Sequence, residues 1–495
     1  MKRAALAGVR ITQGPSDWQI LQRRLDNQAD IPLAGTWLEP SDRMGTVEVR
    51  LVDETFQRPA AEHLDWHAAD TSPDRTWRHV LENVPAGGPY RLETRLAASA
   101  DDSWRLAGDT IQHLGVGDLW IIAGDDNALG FGHGAVEDQP VPGVHMFRKN
   151  ERWCMASHPV HDNTGLRNSR YFSSGAPAHS PWLTFGRLLW KETGLPIGLI
   201  PAAQEGTSLE NWHNPKKSMA SPALGNLLEM LHTATSLYDF ANFSLLDGGP
   251  RLLPKPKNPP GTFAGCVWFQ GNADSRREGS ARNYKTALAG HIGNMRNALE
   301  APHLPFVICQ LNRVIGVAKP GESLLWGHIR EAQRAAGHDI DNVAVIPTLD
   351  AGLSDGIHIS AAGNAMIGER AGRAALGLVY GKKTPWRCPD FYDAWLEEGG
   401  RTSVVIQFSH VSGALRPVSG DMSSLSIADA SGGAPIRKVR LTGRDTLVAT
   451  VNRDLGENPV VSFCASHNPN PALVDDANCP PLAFMNVAIR TEAAL

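Results

Sequence analysis

Apolar and polar residues alternate with a period of two along roughly the first hundred positions. Val47-Glu48-Val49-Arg50-Leu51 and Tyr90-Arg91-Leu92-Glu93-Thr94-Arg95-Leu96 set apolar side chains on one face and charged ones on the other, as half-buried antiparallel strands require. Turn residues such as Pro85-Ala86-Gly87-Gly88-Pro89 separate such runs, so residues 1–110 are expected to form a β-sandwich. From about residue 111 the pattern changes. Short runs at 119–122, 197–200, 266–269, 306–309 and 343–346 are apolar on both faces, as buried parallel strands are. Helical periodicity fills 182–193, 224–245, 284–299, 324–336 and 361–380. This alternation predicts an α/β domain over residues 111–383 built on a five-stranded parallel sheet. The period of two returns in Lys438-Val439-Arg440-Leu441 and Leu447-Val448-Ala449-Thr450-Val451, which predicts a second β-sandwich over 384–495.

Composition narrows the function classes. The chain has 495 residues, 42% of them hydrophobic and 20% charged, so it is neither disordered nor fibrous. Its 52 acidic residues outnumber 47 basic ones, with no dense basic run, which argues against a nucleic-acid partner. No window approaches the roughly 18 apolar residues of a membrane helix, so no membrane partner is expected. The start carries Lys2 and Arg3 and meets Arg10 before any long apolar stretch, a poor secretory signal that points to a cytoplasmic protein. Six scattered cysteines form no Cys-x-x-Cys pair, and nothing calls for a metal or cofactor. The sandwiches are candidate lids or dimer contacts, which leaves a homo-oligomer open.

In a doubly wound sheet the ligand sits beyond the carboxyl ends of the strands, so the segments after each run are where chemistry is expected. The first is Gly124-Asp125-Asp126-Asn127, whose carboxylates suit an Asx turn or helix cap as well as a reactive site. The second is Gln204-Glu205-Gly206-Thr207 with Trp212 beyond it; Thr207 and Glu210 have capping-box spacing and leave Glu205 unused. The third, Gln270-Gly271-Asn272, offers amides that suit a sugar's hydroxyls or a plain turn. Arg313 follows the fourth run, and Phe131, Trp268 and Trp326 join Trp212 as candidate stacking faces. Before the last helix, Asp355 stands three residues ahead of His358, a spacing that can orient an imidazole through one ring nitrogen and leave the other free.

In order and spacing, the blocks at 117–127, Gly198 to Thr207, Trp268-Phe269-Gln270-Gly271 and Asp355-Gly356-Ile357-His358 resemble the sialate O-acetylesterase type of SGNH hydrolase, over roughly residues 111–381. The resemblance implies a three-layer flavodoxin-like domain, a carbohydrate substrate, and Asp355 and His358 as a catalytic pair. At three positions the chain departs from the family. Asp126 stands where the family has its nucleophilic Ser, Glu205 where a Gly lends its N–H to the oxyanion hole, and Asn272 where the family has Glu.

A glutamate at that pocket would repel the negative charge of an acyl-transfer intermediate. Two carboxylates across a crevice instead suit the positively charged transition state of glycoside cleavage. The expectation is therefore a glycoside hydrolase on an esterase scaffold. Asp126 would be nucleophile or base, and Glu205 a general acid of raised pKa. His358, oriented by Asp355, would activate water, and retention and inversion both remain open. Asp125, Asn127, Gln204, Trp212, Gln270, Asn272 and Arg313 are the expected substrate contacts. The alternatives are a carbohydrate O-acetylesterase with an atypical active site and a carbohydrate-binding protein without turnover.

Overall fold

The computed structural model describes residues 7–491 apart from 40–44, 98–104, 213–221, 237, 245–248, 253–261, 317–320, 384 and 419–421. Residues 1–6 of the basic start, 237 and 245 of the expected 224–245 helix, and Thr384 at the expected domain boundary lie outside the described residues.

The N-terminal alternation builds two facing antiparallel sheets. In one, Gln28–Leu38 pairs with Gly8–Gly14 and with Thr76–Pro85. In the other, Gly87–Ala97 pairs with Thr46–Asp53 and with the start of a 20-residue strand, β1 (Arg105–Gly124). The inward residues Val47, Val49, Leu51, Leu92 and Leu96 are fully buried and pack in one cluster with Trp77. The expected boundary at residue 110 falls inside β1. Its first half belongs to the sandwich, and from Asp118 it runs parallel to Ile197–Pro201 at the centre of the next sheet.

That sheet contains the five expected strands, all parallel, and two more. Beside β1 in chain order come β2 (Val144–Phe147), β3 (Trp153–Met155), β4 (Ile197–Pro201), β5 (Gly265–Phe269), β6 (Phe306–Cys309) and β7 (Val343–Ile346), arranged β3-β2-β4-β1-β5-β6-β7. β2 is a sixth parallel strand and β3 an antiparallel edge, so the sheet is mixed, not five-stranded and all-parallel as expected. The extra strand hid behind His145, whose polarity breaks an apolar run. Its buried ring nitrogens lie 2.7 Å from the Trp18 carbonyl and 2.8 Å from the Pro142 carbonyl, either of which can take its N–H.

Successive residues of β1 face opposite layers. Leu119, Ile121 and Ala123 pack on one side with α2 (Pro222–Thr235), α3 (Glu278–Ala298) and α4 (Leu325–Asp339); Trp120 and Ile122 pack on the other with α1 (Trp182–Thr193) and α5 (Ala361–Leu378). Three layers result. The Ser360 side chain accepts the Gly363 N–H and starts α5 just beyond the Asp355–His358 loop, fixing that loop's exit.

The C-terminal sandwich pairs Asp390–Leu396, Ser403–Ser409, Thr446–Val451 and Ile436–Leu441 in one sheet, with Leu425–Asp429, Val460–Phe463 and Phe484–Ala488 in the other. Polar staples attach it to the α/β domain. Gln310 exchanges two hydrogen bonds with the Ala483 backbone, and the fully buried Arg330 donates to the carbonyls of Leu311, Asn312, Cys464 and Ser466.

Candidate active site

The first loop turns sharply at Gly124, whose φ of +139° only glycine adopts readily; a Cβ there would lie 2.0 Å from the Phe269 carbonyl oxygen. Asp125 enters a fully buried position, and its Oδ2 accepts the N–H groups of Gly271 (3.0 Å) and Asn272 (3.1 Å). Asp125 thus clamps the third loop against the first through Oδ2, while its buried Oδ1 has no hydrogen-bond partner among the described residues. Burial and the neighbouring Asp126 charge push its pKa well up, against those two hydrogen bonds.

Asp126 opens a one-turn helix, Asp126–Leu129, at the strand's carboxyl end. Its Oδ1 accepts the N–H of Gly206 (2.8 Å), and its Oδ2 has no hydrogen bond among the described residues. Burial raises its pKa, the Glu205 charge adds to that, and the Gly206 N–H and the nearby His358 oppose it. Asn127 points inward to Asn312, its Nδ2 donating to Oδ1 at 2.9 Å, and so ties the first and fourth loops together.

His358 closes the site from the loop before α5. Its Nδ1 lies 2.7 Å from Asp355 Oδ2, while Asp355 Oδ1 accepts the N–H groups of Ile357 and His358, each at 2.7 Å. Burial pushes the Asp355 pKa up, but the His358 and Ile357 hydrogen bonds outweigh it and bring it to about 2. A carboxylate held ionised accepts only, so His358 Nδ1 carries a proton, and the lone pair of the neutral imidazole is the one on Nε2. No other protein group among the described residues bonds Nε2. The Phe131 ring, 4.8 Å from the imidazole by centroids, packs beside it.

The remaining expected residues divide. Both side-chain polar atoms of Asn272 are buried without a partner, the state of a group kept for a ligand. The Arg313 side chain makes no hydrogen bond or ion pair among the described residues, on a loop that Ile315 ties to the Gly356 carbonyl at 2.7 Å. Gln204 is spent on Ala223 and Asn226, and Gln270 on Thr207, Asp274 and Tyr284. Trp212 and Trp268 are fully buried and pack edge to face in the core, and Trp326 is also core, so none offers a stacking face.

Glu205 does not have the environment expected of a general acid. Its oxygens accept the Ser174 N–H (2.6 Å), the Ser174 hydroxyl (2.7 Å) and the Gly175 N–H. Burial pushes its pKa up, but these bonds and the Lys149 charge outweigh it, and the net shift is downward. It is an ionised anchor for the 173–175 loop. Sequence reasoning missed Ser174, which lies in a long loop without a signal, and Asn312, which the strand-end rule could have found.

The model of one family, described as carbohydrate esterase, sialic acid-specific acetylesterase, matches residues 116–377, more than half of the chain. The chain belongs to this family. Its match begins within β1 and ends within α5, spanning all five strand-end loops of the carbohydrate-esterase domain. The chain is similar in structure to a carbohydrate acetylesterase of Xanthomonas citri, with 21% identity and a TM-score of 0.62 over 96% of this chain and 99% of that one. A protein of Arabidopsis thaliana matches at 19% identity and a TM-score of 0.40, over 53% of this chain and 98% of that one. No curated protein sequence matches the chain.

Family membership and the state of Glu205 correct the glycosidase expectation. The scaffold is that of a carbohydrate esterase, and Glu205, tied to Ser174 and Gly175 with its pKa lowered, lacks the raised pKa that a proton donor to a glycosidic oxygen needs. Among the described residues no helix is long and apolar enough to cross a membrane.

Proposed function

We propose that the protein hydrolyses an acyl ester on a carbohydrate and uses water, in place of a serine hydroxyl, as the nucleophile. The observation that carries this reading is the Asp355–His358 pair, which leaves His358 Nε2 as a free base on the same crevice as Asp126. Water bound between His358 Nε2 and Asp126 Oδ2 loses a proton to the imidazole as its oxygen attacks the acyl carbon. The imidazolium then returns that proton to the sugar oxygen as the ester bond breaks. The Asn272 amide, buried and unpartnered, supplies an N–H for the developing oxyanion.

Direct attack by Asp126 would give a mixed anhydride that must itself be hydrolysed. The raised basicity of Asp126 suits it better to holding water. A second reading, carbohydrate binding without turnover, is favoured by one feature: Asp126 Oδ1 already takes the Gly206 N–H, a donor next to the expected oxyanion position.

Release of acetate from acetylated mono- and oligosaccharides and from nitrophenyl acetate tests the proposal, with nitrophenyl glycosides in parallel. Ester turnover with intact glycosides supports it. Saturable sugar binding by calorimetry with no ester turnover establishes the second reading instead.

A further inference from the structure

Behind the active-site loops, three side chains far apart in sequence converge. Asp138 Oδ2 lies 2.9 Å from His158 Nε2 and 3.3 Å from His179 Nε2, and all three atoms fall within 4.8 Å of one another. The imidazoles stack with centroids 3.9 Å apart and an interplanar angle of 29°, and both have Nε2 nearest the same carboxylate oxygen. His179 is more than nine-tenths buried, yet neither ring nitrogen has a hydrogen bond of acceptable geometry, and the adjacent Ser180 hydroxyl is likewise buried and unpartnered. Buried polar atoms are rarely left so in a finished structure.

We propose that Asp138, His158 and His179 bind a divalent transition-metal ion of the zinc class. Two imidazole nitrogens and one carboxylate oxygen are a donor set such an ion favours, with water in the fourth position. Ligand bonds of about 2.0–2.2 Å in a tetrahedron place neighbouring donor atoms roughly 3.3 Å apart, close to the two separations from Asp138.

The surroundings are built to orient the carboxylate. Arg187 Nη1 holds Asp138 Oδ1 at 2.8 Å, which leaves Oδ2 as a single-oxygen ligand, and the Thr184 hydroxyl donates to Oδ2 at 2.9 Å. Such outer contacts fix ligand geometry. A groove of about 520 Å3, lined in part by Asp138, Thr184 and Arg187, opens on the Asp138 side of the cluster. Coordination through His158 Nε2 moves that ring's proton to Nδ1 and gives up the long 3.4 Å contact from the Ser180 N–H.

The site would brace the catalytic loop. The His179 backbone pairs with Gly132 in both directions, at 3.0 and 3.1 Å, and Phe131, the residue before, packs on His358. This inference does not depend on the esterase reading.

The test uses the full-length protein stripped with a chelator and titrated with zinc by calorimetry and with cobalt by visible absorption. The expected result is one equivalent of either ion, with the intense visible bands of tetrahedral cobalt. His179→Gln and His158→Gln, each checked for native circular dichroism, are expected to weaken binding beyond the about 10- to 100-fold typical of outer-shell changes. Asp138→Asn carries the test if a histidine variant fails to fold. Absence of a bound equivalent in the wild type, or binding unchanged in the folded variants, overturns the proposal and leaves a hydrogen-bonded cluster only. Ester turnover, measured separately, has no bearing on either outcome.

Discussion

Asp355 holds His358 with both carboxylate oxygens: Oδ2 faces Nδ1 at 2.7 Å, and Oδ1 takes the backbone N–H of His358 itself, also at 2.7 Å. Ring and backbone are therefore positioned by one side chain. Asp355→Asn presents an amide that can donate to Nδ1, which favours the wrong tautomer and removes the lone pair from the working side. Ester turnover is expected to fall by about 10²- to 10⁴-fold in kcat with little change in KM. Steady-state kinetics on an acetylated sugar checks this.

Asp126 contributes to the acid limb of the rate profile. Burial raises its pKa, so the folded protein takes up this proton at a higher pH than an ordinary aspartate, near 3.8. Activity that needs the carboxylate is expected to fail on acidification before that value is reached. The stability sign is opposite. Because the folded pKa is raised, the contribution of Asp126 to stability is full below the unfolded pKa and is lost as pH rises through the folded one. The kcat/KM profile in Asp126→Asn should lose the Asp126 contribution to this limb and keep the one that the base His358 imposes. Asp126→Ser restores a hydroxyl beside His358 and is expected to label covalently with a fluorophosphonate that leaves the wild type untouched.

Glu205 is expected to act as an anchor. Glu205→Gln retains one acceptor oxygen for Ser174 and should keep most ester turnover, with a loss of under about tenfold and a modest rise in KM as the 173–175 loop loosens. Its folded pKa is depressed, so its stabilising contribution is present above the unfolded pKa and lost as pH falls through the folded one. Limited proteolysis of this loop across the acid range reads that change.

The five strands were legible because each is apolar on both faces, a pattern that only a covered sheet satisfies. Asp355 and His358 were legible because they are three residues apart and make their bond locally. What stayed hidden depends on distant partners. Glu205 owes its ionised state to Ser174, 31 residues upstream, and a lone glutamate after a strand carries no mark of that. Asp125 and Asp126 look equivalent in sequence, yet one is buried behind the third loop and the other faces the crevice. The Trp212 ring looked available for stacking because sequence does not say which face of the segment the sheet covers.

Arg330 is the main polar staple to the C-terminal sandwich. Removing it leaves the carbonyls of Leu311, Asn312, Cys464 and Ser466 without this donor in a buried place. Arg330→Met is expected to destabilise the fold by at least about 3 kcal/mol, since each unpaired buried polar group costs about 1–3 kcal/mol. Denaturant unfolding measures it, and early release of the C-terminal sandwich by protease would accompany it.

The most direct measurement is acetate release from an acetylated oligosaccharide by the wild type and by His358→Ala, at neutral pH and equal folded concentration. Turnover by the wild type that falls at least about 100-fold in the variant is the predicted result. Turnover that survives the loss of His358, or a wild type that binds the sugar and releases no acetate, contradicts hydrolysis by a water activated at this pair.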